Sequence, residues 1–287
     1  MSSPALTIRG FTVAVPDLDA AVAAYRDYLD YQPTWRGTAE ALATLWQAPE
    51  AADQPCAVLV PGARPETFLR LVELPQVDDY VPFSTQGWNA AEIAVADVDA
   101  LAERLADSPF KILGPPAELS ISDDIRAMQV VGPGGELLYL TQVKAPIPGF
   151  DLPILAEGVG HCFVAIVGGK PIAAVSQTYE LLAAAPPAPV VDARVQALSL
   201  AFDLDREHRH PICALSLSPG FLIEMDQMPE ASPRPHRLGL PAAMFSIALT
   251  IDHLPEDLAA VKLPDGGRAA LIKGAADEWI ELEETGS

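Results

Sequence analysis

The chain has 287 residues, enough for two domains at about 150 residues each, and each of that size can bury a core. Half of the residues are hydrophobic (50%) and 20% are charged, which excludes a disordered chain. With 39 acidic against 18 basic residues the net charge is −21, so neither nucleic acid nor an anionic membrane surface is an expected partner.

The first ten residues lack a basic region followed by an apolar core, so no secretory signal is read there. No apolar run approaches the roughly 20 residues that span a bilayer. The three cysteines, Cys56, Cys162 and Cys213, form no CxxC pair, and two of them sit in apolar strand-like runs. These features predict a cytoplasmic protein with reduced core cysteines. The 28 prolines and 19 glycines divide the chain into many short elements.

In chain order, the first recognisable piece is Phe11-Thr-Val-Ala-Val-Pro-Asp17-Leu-Asp19, an alternating strand that ends at an Asp-x-Asp. The same pattern returns as Ala91-Glu-Ile-Ala-Val-Ala-Asp97-Val-Asp99, 80 residues later. The aspartates suit helix N-caps, where a carboxylate accepts from free backbone N–H groups. Amphipathic helices are predicted over 20–29 and 100–105. Gly132-Pro-Gly-Gly-Glu-Leu-Leu-Tyr139 is a turn running into a strand, and Ser218-Pro-Gly-Phe-Leu-Ile-Glu224 repeats it. Strands around Arg70 and Glu281 occupy the equivalent place in the first and last units. A third unit opens at His161 and continues into a helix over about 171–184. A fourth opens at Ser246, followed by a short helix over 255–260.

The reading is α+β: four βαβββ modules over about 8–76, 86–145, 158–229 and 243–285, paired into two open β-barrel-like domains. Units one and two form the first domain, 1–145. A Pro-rich linker, 146–157, leads to the second, 158–287. A second Pro-rich stretch, 228–241, separates units three and four.

The strand–helix starts at Asp17 and Asp97 and the Gly-Pro-Gly-Gly turn–strand resemble the vicinal oxygen chelate superfamily: glyoxalases, bleomycin-resistance proteins and type I extradiol dioxygenases. The resemblance covers nearly the whole chain and, with two barrels in one chain, is nearest to the dioxygenase arrangement. It implies a divalent metal, held by one side chain from the first strand and one from the last strand of each unit. In units one and two those positions fall at Gly10, Ala90, Arg70 and Tyr139, so no metal is expected there. Arg70 and Tyr139 are candidates for substrate binding. In units three and four they fall at His161, Glu224, Ser246 and Glu281. His161, Glu224 and Glu281 are the candidate metal ligands, for iron, manganese, zinc or nickel. Glu224 and Glu281 are also candidate catalytic bases, and Ser246 is a further substrate contact. Ser246 departs from the ligand set of the dioxygenases.

The functional expectation is a metal-dependent isomerase, lyase or ring-cleaving dioxygenase acting on a small oxygen-rich or aromatic compound in the second barrel. Two alternatives stand beside it. One is a metal-free binding or resistance protein that sequesters an apolar ligand. The other is a metal-free enzyme that works by side-chain acid–base chemistry. The expected partner is a small molecule, with a homodimer as the expected assembly.

Overall fold

A computed structural model describes residues 6–62, 64–78, 80–119, 122–263 and 266–285. Unit one runs β1 (Ile8–Val15), α1 (Leu18–Leu29), β2 (Tyr31–Thr38), α2 (Glu40–Leu45), β3 (Pro55–Pro61), β4 (Phe68–Glu73). Unit two runs β5 (Gly87–Val95), α3 (Val98–Leu105), β6 (Lys111–Leu119), β7 (Ser122–Val131), β8 (Leu137–Val143). Unit three runs β9 (Val159–Gly169), α4 (Ile172–Leu182), β10 (Val191–Arg194), α5 (Gln196–Ala201), β11 (Arg209–Ser216), β12 (Leu222–Gln227). A two-residue hairpin, β13 (His236–Arg237) and β14 (Leu240–Pro241), leads to unit four: β15 (Met244–Ile251), β16 (Val261–Lys262), β17 (Arg268–Lys273), β18 (Trp279–Glu284).

The aspartates act as the sequence predicts. The Asp17 carboxylate accepts from Ala20 N at 2.9 Å, and that of Asp97 from Asp99 N at 3.1 Å and Ala100 N at 3.0 Å. The helix expected over 255–260 is absent, and the segment is a turn. Only Leu254 and Leu258 offer it an apolar stripe, and one turn of helix cannot offset the cost of nucleation.

The fold is α+β, with two curled eight-stranded sheets, but the units pair differently from expectation. The first sheet has the order β16-β17-β18-β15-β1-β4-β3-β2, so it joins unit one to unit four. The second has the order β10-β11-β12-β9-β5-β8-β7-β6, joining unit two to unit three. The division into 1–145 and 158–287 therefore does not coincide with the sheets. The seams are antiparallel pairings of first strands, β1 with β15 and β5 with β9. The physical reason lies on the outer faces. Phe11, Val13, Ile93, Val95, Ala165 and Ile247, from both sheets, share one apolar core with the buried faces of α1, α3 and α4. Two separate barrels would leave that surface wet. Smaller cores fill the two inner faces, one beneath α2 and one beneath α5.

Buried hydrogen bonds tie the sheets together within each half of the chain. Tyr25 of α1 donates to Glu136, ahead of β8, at 2.6 Å, and Tyr179 of α4 donates to Glu278, ahead of β18, at 2.8 Å. The repeated turn makes room for these carboxyls. A Cβ on Gly132 or on Gly274 would lie 2.0 Å from an oxygen of Glu136 or Glu278 respectively.

Because each sheet takes strands from both halves, cutting the 146–157 linker should not separate them. Limited proteolysis there, where Phe150 and Ile154 are exposed, is expected to give two fragments that co-elute in size exclusion at the intact mass. Independent elution would contradict the pairing. Among the described residues, no helix is long and apolar enough to cross a membrane.

Candidate functional site

Side chains alternate along a strand, so each unit presents one residue of its first strand and one of its last strand to the inner face. On the first sheet, neighbouring strands β18, β15, β1 and β4 bring Glu281, Ser246, Thr12 and Arg70 together, with Thr12 opposite both Ser246 and Arg70. On the second sheet, β12, β9, β5 and β8 carry Glu224, Ile166, Glu92 and Tyr139. Glu224 lies beside Ile166, Glu92 beside Tyr139, and Gln129 of β7 follows Tyr139.

The first ring is closed on itself. Arg70 Nη1 reaches Glu281 Oε2 at 2.8 Å and Oε1 at 3.1 Å, and Thr12 Oγ1 at 3.1 Å. Trp46 Nε1 donates to Glu281 Oε1 at 2.9 Å, and the Ser246 hydroxyl donates to the same oxygen. Phe68 stacks under the guanidinium, 4.7 Å from ring centre to Cζ. Arg70 is 4% exposed and Glu281 0%. Burial works against the charge on Arg70, and the carboxylates of Glu281 and Glu283 more than reverse that, so its pKa is raised. Beside the ring lies a pocket of about 290 Å³ between Trp35, Leu42, Val58 and Phe68, with Arg70 and Glu283 also on its lining.

The second ring is open. A cavity of about 270 Å³ lies over Glu92, Gln129, Tyr139, Ile166, Ile212 and Glu224, with Val195 and Gln196 at one side. The tips of Glu92, Tyr139 and Glu224 reach this space, while protein surrounds the rest of each side chain. Asp226, two residues beyond Glu224 on the same face, is 1% exposed, and neither of its oxygens has a hydrogen-bond partner among the described residues. Burial pushes the Glu92 carboxyl up to about 7 and that of Asp226 up to about 7. Burial also holds Glu224 well above the usual carboxylate range, reinforced by Asp226 and then Glu92. Tyr139 is raised by burial and then by the same three acids.

The predicted site residues are thus split. Arg70, Ser246 and Glu281 meet on the first sheet; Tyr139 and Glu224 meet on the second. His161 joins neither ring. It is 3% exposed and packs its ring on Phe221, with 5.3 Å between centroids. Burial, with Arg64 nearby, pushes its pKa down to about 4, so the imidazole is neutral. His161, Glu224 and Glu281 therefore share no site, because units three and four sit in different sheets. Thr12, Glu92 and Asp226 were not singled out from the sequence. Glu92, like Glu224 and Glu281, is a carboxylate that interrupts an apolar strand, and that pattern is the sequence signal that could have flagged it.

Neither ring fits the divalent metal that the fold family implies. In the first, the Arg70 guanidinium already sits on the carboxylate that would bind the ion. In the second, no three His, Cys, Asp or Glu side chains stand close enough to share one, a statement that holds for the described residues as a whole. The strands of Glu92 and Glu224 are separated by β9, about two strand spacings or 10 Å between backbones.

Among solved structures, the chain is similar to glyoxalase I from Zea mays, at 13% identity over 98% of this chain and 93% of that one, with a TM-score of 0.63. A point mutant of the same maize enzyme gives 13% identity over 98% and 94%, with a TM-score of 0.65. A Bacillus subtilis protein provisionally assigned as a dioxygenase is 11% identical over 99% and 86%, with a TM-score of 0.61. No family model matches the sequence, and no curated protein does. At these identities the likeness is one of fold: the chain has the vicinal oxygen chelate fold in its four-unit form. The strand–helix starts and Gly-Pro-Gly-Gly turn resembled that fold, and the structure agrees at that level.

Proposed function

We propose that the chain is a small-molecule protein that takes its ligand in the cleft of the second sheet, without a resident metal. One contrast carries this reading. At the strand positions that the Arg70–Glu281 ion pair holds on the first sheet, the second sheet puts Tyr139 and Glu224 on the lining of a cavity, and among the described residues no ion pair joins Glu92 or Glu224 to a cation. Retaining desolvated acids costs stability, and such groups cluster where they are used. Binding is the function supported best. Tyr139 and Gln129 supply directional contacts, Ile166 and Ile212 an apolar floor, and the acids the polar anchor.

A second reading is favoured by one observation. Glu92 and Asp226 sit near 7, where a carboxyl both gives and takes a proton at neutral pH, as metal-free isomerisation or elimination would require. Enzymes and binders would share the site, so its location is the first test. With methyl groups labelled, a fragment library is expected to shift the NMR signals of Ile166, Ile212 and Met128 in the second cleft. Shifts confined to Leu42 and Val58 of the first cleft would overturn the proposal.

A further inference from the structure

Independently of the second cleft, we infer that the pocket beside the first ring is a binding site for an uncharged carbonyl compound with an apolar or aromatic body, its carbonyl oxygen held by Arg70. The pocket measures about 290 Å³, and Trp35, Leu42, Val58, Val60, Phe68 and Leu263 supply its apolar wall. Arg70 lines it and is 4% exposed.

The guanidinium is only partly engaged by the protein. Every hydrogen bond that Arg70 makes leaves from Nη1, to Thr12 Oγ1 and to both oxygens of Glu281. Nε and Nη2 have no hydrogen-bond partner among the described residues, and Nη2 stands 3.8 Å from Glu283 Oε1. Neither nitrogen is among the polar atoms sealed from solvent without a partner, so both open onto the pocket. A donor facing an otherwise apolar space needs an acceptor there. The hydroxyls on the lining do not offer one in its place: Thr34 already donates to Val58 O at 3.3 Å and Thr67 to Arg64 O at 2.8 Å.

Charge narrows the class. The charged residues on the lining are two cations, Arg9 and Arg70, and two acids, Glu66 and Glu283. Each acid already has an arginine: Glu66 is paired with Arg64, and Glu283 with Arg9 at 3.5 Å. A carboxylate ligand would meet Glu66 and Glu283 and the field of a chain with net charge −21. An ammonium ligand would meet Arg9 and Arg70 and brings donors only, with no acceptor for their N–H groups. A carbonyl oxygen satisfies the Arg70 donors through a charge-assisted hydrogen bond and leaves the balance of charge as it is. Trp35 and Phe68 offer ring faces to the body of the ligand.

The test uses three probes that share one body: N-methyl-3-phenylpropanamide, 3-phenylpropionate and 3-phenylpropylamine. Binding near neutral pH is read from the methyl signals of Leu42, Val58 and Val60 in the intact protein. The amide is expected to bind about tenfold or more tighter than the acid or the amine. Arg70→Lys keeps a cation beside Glu281 but removes the donors that face the pocket, and is expected to weaken the amide about tenfold. Val58→Phe leaves Arg70 in place, fills the pocket and is expected to abolish binding, so the location is tested even if Arg70→Lys does not fold. Unchanged affinity in a folded Arg70→Lys protein, or in Val58→Phe, overturns the inference. Equal or tighter binding of the acid or the amine overturns the uncharged class. No shift of these methyls with about 10 mM amide overturns the site. The second cleft is judged apart, at Ile166, Ile212 and Met128, so either site can fail without the other.

Discussion

Replacing Arg70 with methionine is expected to lower stability by about 3–5 kcal/mol, because it strips the cation from a fully buried carboxylate. Glu281 would keep donors from Trp46 and Ser246 but lose both contacts to the guanidinium. For domains of this size each kcal/mol moves Tm by roughly 2–4 °C, so thermal unfolding resolves the loss easily. The double variant Arg70→Met, Glu281→Leu should recover most of it, since a well-packed apolar pair replaces a buried ion pair at little cost. Urea denaturation of the wild type, both single variants and the double gives the coupling energy. A single-variant loss under about 1 kcal/mol would mean that the first ring is not sealed by this pair.

The second sheet predicts the opposite sign. Asp226→Asn is expected to stabilise the protein at pH 8 by on the order of 2 kcal/mol, and to gain nothing at pH 4. The sign follows from linkage. The folded-state values of Asp226 and Glu92, about 7, lie above those of the unfolded chain, near 4. Between those limits the folded protein binds more protons. Stability is full below about pH 4 as far as these groups are concerned, and falls as pH rises through 7. Glu136 also lies near 7, raised by burial, and adds to the same slope from the Tyr25 contact. The wild type should therefore melt higher at pH 5.5 than at pH 8, and Asp226→Asn should flatten that difference.

Much of the fold was legible because it is local. Alternation places Val13 and Ile93 on strands, and Asp17 and Asp97 cap helices, because strand period and cap chemistry are set within a few residues. The last-strand positions Arg70, Tyr139, Glu224 and Glu281 all face a cleft. The pairing of units was not legible. Each unit offers a similar strand edge, and the choice of partner is made by burial of the outer faces, a sum over residues far apart in sequence. The site expectation failed through that choice, since Glu281 and Glu224 stand in equivalent places on different sheets. The first-strand positions fell two residues early, at Gly10 and Ala90 in place of Thr12 and Glu92. A slip of two keeps the face but moves along the strand. In unit three, register shifts between β5 and β9 break the count, and His161 packs on Phe221.

The central claim is that Glu92, Glu224 and Asp226, on the second sheet, are buried with no ion pair to a cation among the described residues. Carboxyl 13C shifts followed from pH 4 to 9 measure this directly. Glu92 and Asp226 should titrate with midpoints near 7, and Glu224 well above the ordinary range. Midpoints near 4 for all three would mean that each has a cation or bulk water at hand, and would contradict the account.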